Sequence, residues 1–227
     1  MTKAINYILD IFYPNRCPFC DGFIKWDCLI CEKCFAELEY IHACDKCGKV
    51  ECMCDKSLFY DDAYVLFSYG GIVKESILAL KEKNGINAAQ FYGEKLSERI
   101  IASGKIYDMI VPVPMSKLKK RIRGYNQSSE IAEFISRKLN IPVVDALIKK
   151  ENTIVQHTLS KKEREENVKG MFLPSDISLS ENKIILCDDV ITTGSTMNEC
   201  ARILKSMGAD YITAVAPATT NLNNTNA

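Results

Sequence analysis

Residues 183–209 read KIILCDDVITTGSTMNECARILKSMGA, so two adjacent carboxylates, Asp188 and Asp189, precede Val190 and a turn rich in hydroxyls and glycine. The backbone N–H groups of that turn, the start of the helical run after it and the hydroxyls of Thr192, Thr193, Ser195 and Thr196 around Gly194 converge on one small volume. Such a volume suits a phosphate dianion. Carboxylates repel phosphate, so Asp188 and Asp189 must face another part of the same ligand. A ribose diol, whose O–H groups donate to carboxylate oxygens, is the natural candidate. Diol and phosphate side by side describe a ribose 5-phosphate. A Walker A loop needs a lysine after Gly194 and a dinucleotide fingerprint needs GxGxxG; neither is present. The alternative without a ligand is an aspartate pair capping a helix.

The second chemical constellation is cysteine. Nine of the 11 cysteines fall between Cys17 and Cys54. The pairs Cys17/Cys20, Cys31/Cys34, Cys44/Cys47 and Cys52/Cys54 supply thiolates for two tetrahedral all-cysteine zinc sites, with Cys28 left over. The last pair has one residue fewer between its thiols, which makes the second site the less secure. An iron–sulfur cluster is the competing chemistry for the same ligands. Residues 1–57 carry seven basic and nine acidic side chains, a formal −2. Two Zn(Cys)4 centres lower that to about −6, the wrong sign for a phosphate backbone. The segment therefore reads as structural or partner-docking. Positive charge gathers instead at Lys117–Arg123, where Lys117, Lys119, Lys120, Arg121 and Arg123 are basic. This cluster suits pyrophosphate, nucleic-acid phosphates or a merely solvated face.

The elements that must position these groups follow from periodicity. Ile5, Ile8, Leu9 and Phe12 predict a short helix over 3–12, ended by Pro14. Residues 15–56 lack long periodic runs, as expected of a chain folded around metal. Beyond them apolar strands alternate with helical patterns, the signature of an α/β domain with a mainly parallel sheet. Strands are predicted at 63–68, 107–113, 142–148, 183–188 and 211–216, and helices at 72–83, 87–102, 126–139 and 195–207. DDVITTG then lies at the carboxyl end of a parallel strand, where ligands bind in open α/β sheets. Residues 1–57 form one unit, 58–220 a second, and 221–227 a polar tail. With 29 basic and 29 acidic residues the net charge is zero, which excludes a whole-chain attraction to nucleic acid or an anionic membrane. Apolar runs fall short of the ~18 residues a membrane span needs, so no membrane insertion and a cytoplasmic location are expected.

IILCDDVITTGST resembles the phosphoribosyl pyrophosphate signature of type I phosphoribosyltransferases. VPVPMSKLKKRIRGYNQSSEIA and QHTLSKKEREENVKGMF are similar to two further segments of the ComF family, with Tyr125 where that family has phenylalanine. The resemblance implies a double zinc ribbon before a type I phosphoribosyltransferase domain. It implies that Asp188 and Asp189 hold the ribose hydroxyls, that Val190 and Thr192–Thr196 hold the 5-phosphate, and that Val113, Pro114, Met115, Ser116 and Lys117 form the pyrophosphate loop. Arg121 and Arg123 match the family's arginines and join the aspartates as catalytic candidates, with Mg²⁺ accompanying the pyrophosphate. Association with single-stranded DNA and the DNA-uptake machinery of competent bacteria is implied too. Thr192 stands where purine-type members carry an acidic residue, which turns the expectation away from a 6-oxopurine acceptor. Residues 151–169, with Gln156, His157 and Arg164, are expected as a closing loop or a surface helix. Three functions stay open: a phosphoribosyltransferase with an unidentified nitrogen acceptor, a ribose-phosphate sensor, and a DNA-uptake adaptor.

Metal analysis of the purified chain is expected to find about two zinc ions, the Cys17/Cys20/Cys31/Cys34 site resisting chelation longer than the other. Metal-free protein that keeps the same structure over 15–56 would defeat the structural-zinc reading, because a ribbon this small has too little core of its own.

Overall fold

In the computed structural model, residues 15–52, 54, 58–80, 85–151, 168 and 170–220 are described. The expected helix over 3–12, most of 151–169 and the tail lie outside them, as do 81–83 of the expected helix over 72–83. In chain order the elements are α1 (Glu32–Glu37), β1 (Asp62–Ser68), α2 (Gly71–Ala79), α3 (Ile86–Ala102), β2 (Met109–Pro112), α4 (Lys117–Arg123) and α5 (Gln127–Leu139). There follow β3 (Leu147–Lys149), β4 (Phe172–Pro174), β5 (Lys183–Cys187), β6 (Val190–Ile191), α6 (Ser195–Ser206) and β7 (Tyr211–Thr219).

The main sheet runs β1-β7-β5-β2, with β6 added on β7, and every pairing in it is parallel. Covered on both faces, its strands are continuous apolar runs. Successive side chains of β5 alternate between layers, Ile185 and Cys187 toward α3 and α5, Ile184 and Leu186 toward α6. The helices answer with stripes at helical spacing: Ile131 and Ile135 on α5, Met197, Cys200, Ala201 and Leu204 on α6. The cysteine segment shares this core, since Cys17, Phe19 and Cys34 join the α3 cluster. Phe19 meets Phe91 edge-on at 5.1 Å between centroids. Among the described residues no helix is long and apolar enough to cross a membrane.

Two strand expectations are corrected. Residues 142–148 do not form one strand of the main sheet. Val143 makes a single parallel bridge to Ile110, and Leu147–Lys149 then pairs antiparallel with β4 in a separate two-stranded sheet. Pro142 has no N–H to give to a ladder and Asp145, exposed, interrupts the run at its centre, so its first part bonds only Ile110, through the Pro142 carbonyl and the Val144 amide, and its last part pairs with β4. At the other end β7 runs on to Thr219, and that extension captures Val190 and Ile191 as β6. What reads in sequence as one loop is thus a strand followed by a tight turn.

Close packing of α3 on α5 passes through Gly93. A Cβ built there would lie 2.4 Å from the Cβ of Phe134 and 3.1 Å from the Ile131 carbonyl oxygen. Alanine is worth about 1 kcal/mol over glycine in a helix, but forcing two packed helices apart costs about 1–3 kcal/mol. Gly93→Ala should therefore lower the urea midpoint of the zinc-loaded protein. A raised midpoint would show that the helices separate freely.

Candidate functional site

The site is assembled where β5 and β2 end. Asp188 follows the last residue of β5 and stays tied to the sheet through its N–H, which donates to the Val215 carbonyl at 3.0 Å. Its Oδ1 accepts from the Asp189 amide at 2.9 Å and from the hydroxyl of Ser128, in the first turn of α5, at 3.0 Å. Burial, and then the neighbouring charge of Asp189, push the Asp188 carboxyl up to about 8. Adjacent carboxylates with little water between them do not both ionise readily. With nothing bound, Asp188 holds a proton at neutral pH, and ligand O–H donors or a cation would favour its release. The Tyr69 phenol, just past β1, is raised by burial first and by the charge of Asp189 second, which puts an aromatic ring near the pair.

Two residues on, the chain leaves β6 and turns into α6. Gly194, with φ 85, takes the left-handed conformation that lets the loop double back without a side chain in the way. The hydroxyls of Thr193 and Ser195 lie 2.8 Å apart, and the Ser195 amide donates to Thr193 Oγ1 at 3.2 Å. Among the described residues the amides of Thr192, Thr193 and Gly194 donate to no protein acceptor. Beneath the loop, the Lys49 ammonium of the cysteine segment donates to the carbonyls of Ile191, at 3.1 Å, and Thr192.

The β2 end supplies the second wall. The Val113 amide donates to the Cys187 carbonyl at 2.8 Å, which places VPMS beside the aspartates. Ser116 caps α4, accepting from the Lys119 amide at 3.4 Å. The Lys117 amide, assigned by resemblance to pyrophosphate, donates to Glu151 Oε1 at 2.5 Å. Arg121 is exposed on α4, whereas Arg123 is half-buried and donates to Gln127 Oε1 at 3.4 Å. Gly124, with φ 88, ends α4 and starts a connector whose Asn126 donates to the Val113 carbonyl at 2.9 Å. Gln156, His157 and Arg164 lie outside the described residues.

The cysteines gather as the spacing predicts. Cys17, Cys20, Cys31 and Cys34 form one group and Cys44, Cys47, Cys52 and Cys54 another, the sulfurs of each lying within 4.8 Å of one another. Zinc–sulfur bonds of about 2.3 Å give tetrahedral edges of about 3.8 Å. Cys20 and Cys31 are 3.8 Å apart and Cys44 and Cys54 3.6 Å, while Cys52 and Cys54, at 2.8 Å, are closer than a tetrahedral edge. The amide of Cys34, donating to Cys31 Sγ at 3.4 Å, leads in lowering that thiol to about 7, toward the thiolate a metal needs. Cys28 stays outside both groups, its thiol facing Asp27. The donor sets are those of two structural zinc sites.

Residues 8–62 match the model of the double zinc ribbon domain, and residues 126–222 that of the phosphoribosyl transferase domain. Competence protein F of Haemophilus influenzae is 30% identical over 221 residues, covering 90% of each chain. The chain belongs to the ComF family. Other similar proteins are competence protein ComFC of Bacillus subtilis, 26% identical over 82% of this chain and 81% of the relative, and DNA utilization protein YhgH of Escherichia coli K12, 33% identical over 51% of each. Among solved structures, the Bacillus subtilis glutamine phosphoribosylpyrophosphate amidotransferase complexed with ADP and GMP matches 59% of this ComF chain and 27% of its own, at 22% identity and TM-score 0.42. The two family models, the parallel sheet and the cysteine groups together make the ComF fold here a type I phosphoribosyltransferase domain with an N-terminal zinc-ribbon module.

Three residues of this ComF site escape sequence reasoning. Ser128 sits in a segment singled out for its arginines, and its bond to Asp188 depends on where α5 begins. Lys149, on β3, is held below the usual lysine range by burial first and Lys119 second, with the Asp188 carboxylate opposing, so its ammonium lies within electrostatic reach of Asp188. Lys49 lies among the cysteines with no signal at all.

Asp188 carries a pH prediction. The folded carboxyl keeps its proton up to about pH 8, while the unfolded chain releases it near 3.8, so the stability this group contributes is full below about pH 4 and lost as pH rises toward 8. In Asp188→Asn without ligand, the urea midpoint should fall less steeply between about pH 5 and pH 8 than in the parent. Parallel curves would show that Asp188 is ionised throughout this range.

Proposed function

We propose that this ComF chain binds Mg²⁺-phosphoribosyl pyrophosphate and transfers the phosphoribosyl group to a nitrogen acceptor. The observation that carries this reading is the acidic pair joined by two residues to the Gly194 loop at the carboxyl end of a parallel sheet. Asp188 and Asp189 accept from the ribose hydroxyls. The amides of Thr192, Thr193 and Gly194 and the hydroxyls of Thr192–Thr196, with Val190 leading in, hold the 5-phosphate. Val113–Lys117, Arg121 and Arg123 attend the pyrophosphate, with Lys149 adding further positive charge. The nitrogen lone pair forms the new bond to the anomeric carbon as the bond to pyrophosphate breaks through a cationic transition state, so the protein's task is charge placement and exclusion of water. Mg²⁺ supplies further neutralisation of the leaving pyrophosphate.

For the pyrophosphate wall to engage, the Lys117 amide must exchange Glu151 for the ligand. Residues 1–57 act as the zinc-ribbon unit, 58–220 as the transferase unit and 221–227 as a tail, in the cytoplasm. A second reading has one specific support: α4 buries none of its residues and carries five basic side chains, a surface suited to single-stranded DNA in a family whose members are named for competence and DNA utilization.

Mg²⁺-phosphoribosyl pyrophosphate about a hundredfold above its dissociation constant should stabilise the protein by roughly 2.7 kcal/mol, a melting shift of about 5 to 10 °C for a domain of this size. Asp188→Asn with Asp189→Asn should abolish most of that shift while leaving the ligand-free melting point level or higher. An undiminished shift would place the ribose elsewhere. Pyrophosphate release that depends on an added nucleobase or amine then distinguishes transfer from binding alone.

A further inference from the structure

The second cysteine cluster is built against the back of the phosphate loop. Its turn closes on itself, the Gly48 amide donating to the Cys44 carbonyl at 2.8 Å and the Cys44 amide to the Lys49 carbonyl at 2.9 Å. Gly48, with φ 71, comes so near the sheet that a Cβ would lie 3.1 Å from Val65 Cγ2 and 3.4 Å from Ile191 Cδ1. The Asp45 carbonyl accepts from the Ala63 amide at 2.6 Å, and the Tyr60 hydroxyl donates to the Cys47 carbonyl at 3.3 Å. This docking carries the Lys49 side chain, 9% exposed, under the chain at 191–192.

The consequence is geometric. In a trans peptide the carbonyl and the following N–H point in opposite directions. Lys49 draws the carbonyls of Ile191 and Thr192 toward the cysteine cluster, so the amides of Thr192 and Thr193 are turned the other way. Those are two of the loop amides that find no protein acceptor among the described residues. A buried cation beneath outward-facing amides is an anion site with both its dipoles and its charge arranged in advance.

We propose that Lys49 is the positioning residue of the phosphate loop, and that metal in the Cys44/Cys47/Cys52/Cys54 cluster, by holding the turn that carries Lys49, sets the affinity of the loop for a phosphorylated ribose. The proposal rests on the ribose-phosphate reading for its ligand but not for its loop geometry. The ribbon is then part of the binding site at one remove, and loss or oxidation of its second metal weakens ligand binding without touching a residue that contacts ligand.

Lys49→Met tests this in the full, zinc-loaded chain. The variant should fold, because Ile191 keeps the Thr219 hydroxyl at 2.9 Å and the Thr220 amide at 3.2 Å, and Thr192 keeps the Thr220 hydroxyl at 3.3 Å. Zinc content should stay at the parent value, exchange of the hydrogen-bonded Ser195 and Thr220 amides, which brace the loop from either side, should quicken by about tenfold or more, and affinity for Mg²⁺-phosphoribosyl pyrophosphate should fall by about ten- to a hundredfold. Lys49→Arg should recover part of both losses. Cys47→Ser should reproduce both, and adding it to Lys49→Met should give little further loss. Parent-like exchange in Lys49→Met overturns the positioning role, whether or not any ligand binds. Parent-like affinity in a Cys47→Ser protein that has lost its second zinc overturns the metal link. If the parent binds no phosphoribosyl pyrophosphate, the ribose-phosphate reading fails, and the exchange comparison still decides Lys49.

Discussion

Two carboxylates next to each other in a notch with little water repel one another, and both repel the phosphate expected a few residues away. Much of the architecture around the sheet's carboxyl edge answers that constraint. Ser128 and the Asp189 amide supply donors to one oxygen of Asp188, yet burial still pushes its carboxyl up to about 8. Lys149, from a different sheet, interacts with the charge of Asp188, and Lys49, from the cysteine segment, lies under the loop that follows. The two-residue strand β6 provides the spacing. Pairing with the extended end of β7 fixes the distance between the acidic pair and the loop by ladder geometry instead of leaving it to a flexible turn.

The sequence makes some of this plain and hides the rest, for physical reasons. Helices α3, α5 and α6 and strands β1 and β5 follow from periodicity because each buries a face or an entire length, and burial is what the pattern encodes. The aspartates, the Gly194 turn and both thiolate groups are local, their partners lying within a few residues. Residues 142–148 mislead because an apolar run says only that something is buried, not what it pairs with. Lys49 and Ser128 are invisible for another reason. Each acts on a partner far away in sequence, and nothing about a lysine among cysteines or a serine after a glutamine reports which carbonyl or carboxylate it will meet.

The cysteine segment deserves to be read with the domain it precedes. Its first group stands on α3 through Phe19, and its second stands behind the Gly194 loop through Gly48 and Lys49. Metal makes such a segment rigid at a size where apolar burial alone would not. Rigidity is what a support for a ligand loop requires, since a loop is held only as firmly as the groups beneath it.

The pairing of β1 with β7 has a consequence for how the molecule is made. The first strand of the sheet finds its neighbour only in the last, and β7 also carries β5 and β6. During synthesis, then, β1, α3 and α5 leave the ribosome with the middle of their sheet missing, while the thiolates, close together in the chain, can already take up metal. The apolar faces of α3 and α5 wait through most of translation, and the sheet closes in a late, non-local step of the kind that folds slowly and exposes a chain to aggregation. A metal-loaded ribbon resting on Phe91 and Tyr92 covers part of that exposed surface in the interval, which gives the cysteines' place ahead of the sheet a value in folding.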